Sequence, residues 1–183
     1  MRIIAGTWRS TALAHLGKGD KGAHLRPTSD RVRESLFSAL TSRDVIDAAR
    51  VLDLFAGTGA LGLEALSRGA TSVTFVENGR VGKRLIAENI AKLRCADQTH
   101  VMRMDATKLG PCPEAPFDLV FLDPPYGKGM GQRALLAAKE GGWLAANATL
   151  VWEESAPMLA PEGFALLDQR KYGDTHVTLL ELL

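Results

Sequence analysis

Val51-Leu52-Asp53-Leu54-Phe55-Ala56-Gly57-Thr58-Gly59-Ala60-Leu61-Gly62-Leu63-Glu64-Ala65-Leu66 decides the fold of this 183-residue chain. Its apolar start reads as a buried strand and its glycines as a turn, and Leu61, Leu63, Ala65 and Leu66 begin a helix that stops at Gly69. Gly57 and Gly59 permit a tight turn and let a ligand approach the backbone, and Gly62 permits close helix-to-strand packing. The strand–turn–helix context points to a ligand at Ala56, Gly57, Thr58 and Gly59. The spacing alone leaves that ligand open. Gly57-x-Gly59-x-x-Gly62 also satisfies the dinucleotide fingerprint, with Glu77 where that fingerprint expects its ribose-binding acid.

Outward from this unit, strands and helices alternate. The pattern predicts strands over 51–55, 72–76, 99–104, 118–122 and 148–153, and helices over 60–68, 80–93 and 130–140. That order is a doubly wound, parallel α/β sheet. The tail reads as two further strands, 164–170 and 176–182; the link Lys171-Tyr172-Gly173-Asp174-Thr175 is too short for a crossover helix, so this pair is antiparallel. Upstream, Thr28 or Ser29 caps a helix whose apolar face is Val32, Leu36, Phe37, Ala39 and Leu40, with Arg31 and Arg33 expected to project elsewhere. Residues 2–6 and 8–14 suggest a small hairpin, and 16–22 a glycine- and lysine-containing loop. The predicted division is a basic hairpin and loop over 1–27 and one α/β domain over 28–183.

Ligands of such sheets sit beyond the carboxyl ends of the strands, which aligns Asp53, Glu77, Asp105 and Asp123 on one rim. A carboxylate at Asp53 suits a cationic ammonium and not a pyrophosphate. Glu77, beside Asn78, can take ribose hydroxyls; Asp105, beside Ala106, either accepts from an adenine amine or caps a turn.

Asp123-Pro124-Pro125-Tyr126, directly after the apolar run 117–122, suits methylation of an amino group on a nucleobase. The lone pair of such an amine is delocalised into the ring, so the enzyme must draw the nitrogen toward tetrahedral geometry. The Asp123 carboxylate and the Pro124 carbonyl can each accept one N–H. Pro124 and Pro125 stiffen the loop, and Tyr126 offers a face for stacking the base. An ordinary strand exit with an aromatic lid is the bland alternative.

The net charge is +1, but residues 1–33 carry +5 and the remainder −4. A basic arm on a mildly acidic body can track phosphates, or be a solvated surface stretch. Trp8 either stacks on nucleic acid or packs the arm to the body, and His15 and His24 are expected on the surface. Cys95 and Cys112 lack metal-ligand spacing and read as free thiols, with no metal expected. With no long apolar run or signal peptide, a cytoplasmic location is expected.

These blocks resemble the class I, S-adenosylmethionine-dependent methyltransferases. With Arg2-Ile3-Ile4-Ala5-Gly6, Leu25-Arg26-Pro27-Thr28-Ser29-Asp30-Arg31-Val32-Arg33-Glu34-Ser35-Leu36-Phe37, Gly69-Ala70 and Phe75-Val76-Glu77-Asn78, they resemble the RsmD-type 16S ribosomal RNA guanine-N2 methyltransferases in order and over nearly the whole chain. Ser10 stands where that family usually has glycine, and Gly79 where a small polar or acidic residue is commoner. The resemblance implies a Rossmann-like seven-stranded sheet and S-adenosylmethionine as cofactor, with 16S rRNA, within a 30S subunit or assembly intermediate, as substrate. It also implies catalysis by Asp123, Pro124, Pro125 and Tyr126 and RNA contacts from Arg2, Arg9, Arg26, Thr28, Arg31 and Arg33, in a monomeric protein. Adenine-N6 methylation, a nicotinamide-dependent oxidoreductase and a non-catalytic RNA-binding module are the rivals.

Overall fold

A computed structural model of the chain describes residues 1–17 and 28–183. In chain order the elements are α1 (Asp30–Thr41), β1 (Arg50–Leu54), α2 (Ala60–Ser67), β2 (Ser72–Val76), α3 (Arg80–Leu93), β3 (Thr99–Met102), β4 (Phe117–Leu122), α4 (Met130–Glu140), β5 (Leu144–Glu154), β6 (Phe164–Tyr172) and β7 (Thr175–Leu182). They form one seven-stranded sheet of order β3-β2-β1-β4-β5-β7-β6. Pairings are parallel from β3 through β5, and β7 runs antiparallel to both β5 and β6. The expected doubly wound sheet with its terminal hairpin is therefore present.

Helices cover both faces, so the central strands are apolar along their length. One face packs Val51, Phe75, Leu119, Phe121 and Val151 with Leu36, Phe37 and Leu40 of α1 and Ile86 of α3. The other packs Leu52, Leu54, Val120, Leu122 and Trp152 with Ala134, Leu135 and Ala138 of α4. Three strands differ from the expectation by two residues or more at one end. β3 ends at Met102 instead of 104, β6 runs to Tyr172 instead of 170, and β5 begins at Leu144, upstream of the predicted 148. A register shift between Phe117 and Leu119 against β5, with Asn147 at φ 60°, breaks the alternation that would have marked its first residues.

The first fourteen residues are bound into the body. The predicted hairpin is reduced to one bridge, Arg2 to Ala12, flanked by Ile3 N–H to Thr11 O and Leu13 N–H to Met1 O. Ser10 sits at φ 68°, a left-handed conformation that accounts for the family's usual glycine. Ile3 and Leu13 are buried in the first core cluster, and Trp8 packs against it. Buried Glu64 fastens the segment, accepting from Ile4 N–H (2.7 Å), Ala5 N–H (3.1 Å) and Arg68 Nε (2.7 Å). Buried Asn89 fastens its far end: its amide accepts from Ala14 N–H (2.6 Å) and donates to Ala14 O and to Thr58 O (3.0 Å).

Arg33 corrects the reading of α1. It does not project outward: its side chain is 0% exposed, donates to Arg2 O at 2.7 Å and lies 3.7 Å from Glu64. It is a bolt between α1, α2 and the arm and cannot reach an RNA backbone. Among the described residues no helix is long and apolar enough to cross a membrane.

Candidate active site

The strand order reverses between β1 and β4, and the crevice at such a switch point is where ligands bind. A cleft of about 970 Å³ opens there. The β1 tip supplies Asp53 and Phe55, the following turn Ala56, Gly57 and Thr58, the β2 tip Glu77 and Asn78, the stretch after β3 Met104 and Ala106, and the β4 tip Asp123, Pro124, Pro125 and Tyr126. The two tips are adjacent, with Leu54 paired to Leu122 and Asp123 N–H directed at Leu54 O (3.5 Å). The expected cofactor turn and the Asp-Pro-Pro-Tyr loop thus share one cleft.

Glu77 organises the turn. Its buried carboxylate accepts from Gly57 N–H (2.8 Å) and Gly79 N–H (2.6 Å), which fixes both oxygens while leaving each a lone pair for a ligand hydroxyl. Gly82 makes room for it, since a Cβ there would stand 2.8 Å from the Glu77 carboxyl carbon. Gly59 lies behind the turn as the left-handed cap of α2, at φ 76°, and not on the cleft wall. Asp53 is buried and accepts from Gly62 N–H at 3.0 Å. Burial pushes its pKa up to about 8, Gly62 opposes that, and the nearby Glu77 and Glu153 charges add to it.

Asp105 takes the capping role: its carboxylate accepts from both the hydroxyl and the amide of Thr107, which hold it below the usual carboxylate range. Ala106, and not Asp105, reaches the cleft wall. Thr28 lines the cleft and its hydroxyl faces Glu153. Arg2, Arg9 and Arg31 are exposed, although Arg2 pairs with Asp30 at 3.4 Å; His15 is exposed, as expected, and lines the cleft. Lys18, Lys21, His24, Arg26, Pro27 and most of the loop 16–22 lie outside the described residues.

Two braces on the loop 123–127 were not read from the sequence. Glu154, buried at the end of β5, accepts from Gly127 N–H at 3.1 Å while also holding Ser155. The Tyr126 hydroxyl meets the Thr175 hydroxyl at 3.2 Å, so the terminal hairpin helps set the ring.

The residues fit S-adenosylmethionine and not a dinucleotide. The floor is acidic, and the Gly57 amide that a pyrophosphate would need already donates to Glu77. Fold and cleft define a class I, S-adenosylmethionine-dependent methyltransferase.

The chain belongs to the family described as Conserved hypothetical protein 95, which matches residues 1–181 and in which the RsmD-type enzymes fall. It is 37% identical over 178 residues to the Haemophilus influenzae protein named Ribosomal RNA small subunit methyltransferase D, covering 94% of this chain and 89% of that one. The Escherichia coli K12 protein of the same name is 40% identical over 155 residues, with 85% and 74% coverage. The solved structure of yhhF from Escherichia coli superposes with a TM-score of 0.84 at 34% identity, over 100% of this chain and 97% of that one.

Proposed function

We propose that this enzyme methylates the exocyclic N2 amine of one guanine in 16S rRNA. The observation that carries the reading is the shared cleft: Asp123, Pro124 and Tyr126 stand at its β4 edge, beside Asp53 and the Glu77-held turn. The names of the relatives support small-subunit rRNA as substrate.

When bound, S-adenosylmethionine supplies a methyl group made electrophilic by its sulfonium. Glu77 takes the ribose hydroxyls, and Asp53 faces the ammonium of the methionine moiety. On the β4 side, the Asp123 carboxylate and the Pro124 carbonyl accept the two N–H groups of the amine, which localises the lone pair on nitrogen and aims it. Tyr126 stacks the extruded base. The alkylated nitrogen is strongly acidic, so its surplus proton leaves after transfer. No covalent enzyme intermediate is needed, and alignment supplies most of the rate.

Arg2, Arg9 and Arg26 contact the RNA from residues 1–27, and Thr28 and Arg31 from the chain that follows. The enzyme acts as a cytoplasmic monomer on 30S particles or their assembly intermediates. The test is methyl incorporation into undermethylated protein-free 16S rRNA and into 30S particles, with mapping of the product nucleotide. One methylated guanine N2 is the expected result; label on an adenine, or none on either substrate, overturns the reading.

A further inference from the structure

We propose that the RNA footprint has a second bank, formed by Arg80, Lys108, Lys128 and Arg133, which grips phosphates across the cleft from the N-terminal arm. The inference rests on the reading above that the substrate is RNA.

The cleft is stratified by charge. Its floor carries the buried carboxylates Asp53 and Glu77, which suit a cationic cofactor, whereas Arg80 and Lys128 stand exposed on its wall. Exposed Lys108 and Arg133 extend the same side: the short turn Ala106–Lys108 packs against α4, which carries Arg133, and both cations lie near enough to Asp105 to lower its pKa. These four come from the loops and helix starts after β2, β3 and β4. Met1, His15 and Leu16 line the cleft from the N-terminal segment.

Ion pairing separates this margin from much of the surface. Arg43, Arg50, Arg68, Arg84 and Arg170 each have a carboxylate partner. Among the described residues, none of Arg80, Lys108, Lys128 and Arg133 has one within 4.0 Å. Exposed cations around a mouth raise the local concentration of a polyanion, and phosphate contacts fix register without reading bases. An extruded nucleotide has a phosphate on each side. Holding both keeps the strand across the opening while the base enters, which one bank alone does not do.

The test compares two double variants of the full chain in equilibrium binding to undermethylated 16S rRNA across a salt series. Lys108→Gln/Arg133→Gln removes two charges from the second bank without touching the cleft wall. Lys92→Gln/Arg94→Asn removes two exposed charges from the far end of α3, with asparagine chosen because Arg94 caps the helix at φ 54°. The bank variant is expected to bind about tenfold more weakly and to flatten the slope of log affinity against log salt by about 1.4 to 1.8, with the control near wild type. S-adenosylmethionine affinity by calorimetry stays unchanged in both. Equal losses in the two variants mean a general charge effect and overturn the second bank, as does wild-type binding by the bank variant. In both cases methyl transfer by the wild type leaves the functional reading standing. A wild type that transfers no methyl group fails that reading, and the bank with it.

Discussion

The backbone amide of Gly127 donates to the carboxylate of Glu154 at 3.1 Å, tying the loop that begins at Asp123 to the end of the neighbouring strand. A charge-assisted bond of this kind contributes about 1.5 to 3 kcal/mol, and here it holds the loop on which the proposed mechanism depends. Glu154→Ala is expected to lower kcat roughly 10- to 100-fold while cofactor affinity holds. Glu154→Gln, which keeps an acceptor oxygen, should recover part of the loss. Steady-state kinetics with calorimetry on both variants checks this, and a parallel fall in cofactor affinity would remove Glu154 from the positioning of the loop.

Asp123 has a different signature. Asp123→Ala should reduce turnover by roughly two to four orders of magnitude in single-turnover methyl transfer, because a preorganised acceptor is lost. Cofactor affinity should stay close to wild type. Unchanged turnover would refute its assignment to the amine.

Gly82 tests the cradle of Glu77. Alanine at an exposed helix position gains about 1 kcal/mol over glycine, yet here a Cβ would meet the Glu77 carboxyl carbon at 2.8 Å and Gly57 O at 2.9 Å. Gly82→Ala should therefore weaken S-adenosylmethionine binding by about tenfold or more, in line with a loss of one to two hydrogen bonds to a charged group. Isothermal titration measures it; undiminished affinity would mean that Glu77 does not hold the cofactor.

Asp53 makes both stability and affinity depend on pH. Its pKa rises from 3.8 unfolded to about 8 folded. The folded state thus binds a proton that the unfolded state has lost between about pH 4 and pH 8. Its contribution to stability falls as pH rises through that window and levels off above it. A cationic cofactor prefers the carboxylate, so affinity should rise toward pH 8. Asp53→Asn should flatten both profiles, measured by denaturant titration and calorimetry at several pH values; an unaltered stability profile would show that Asp53 does not titrate there.

Glu64 joins the arm to α2. Glu64→Ala leaves Arg33 buried without its nearest carboxylate in the core and frees the Ile4 and Ala5 amides. Asp30 still pairs with Arg33, so the cost is that of lost charge-assisted hydrogen bonds, about 1.5 to 3 kcal/mol, and not that of a lone buried charge. A loss under 1 kcal/mol in urea titration would show that the arm is held by apolar packing alone.

Some of what the sequence reading missed had a signal. Arg33 lies three and four residues before Leu36 and Phe37, on the apolar stripe of α1, and Arg31, two residues earlier, cannot share its face. Asn89 likewise falls between Leu85 and Leu93 on the buried face of α3. Periodicity marks both as buried polar groups in need of partners. Nothing local marks Glu154 or Thr175, whose roles depend on which loop the sheet order sets beside them.

By itself the sequence determined the elements and the sheet's class, because apolar period and turn residues act within a few residues of chain. It also set Asp-Pro-Pro-Tyr, with its acceptors, stiffness and stacking face together, at the end of an apolar strand. Only the tertiary structure decided that Asp105 caps a turn, that Arg33 is a bolt and that Glu154 braces the loop after β4. A charged side chain's partner is set by packing between segments far apart in the chain, and local pattern carries no record of that.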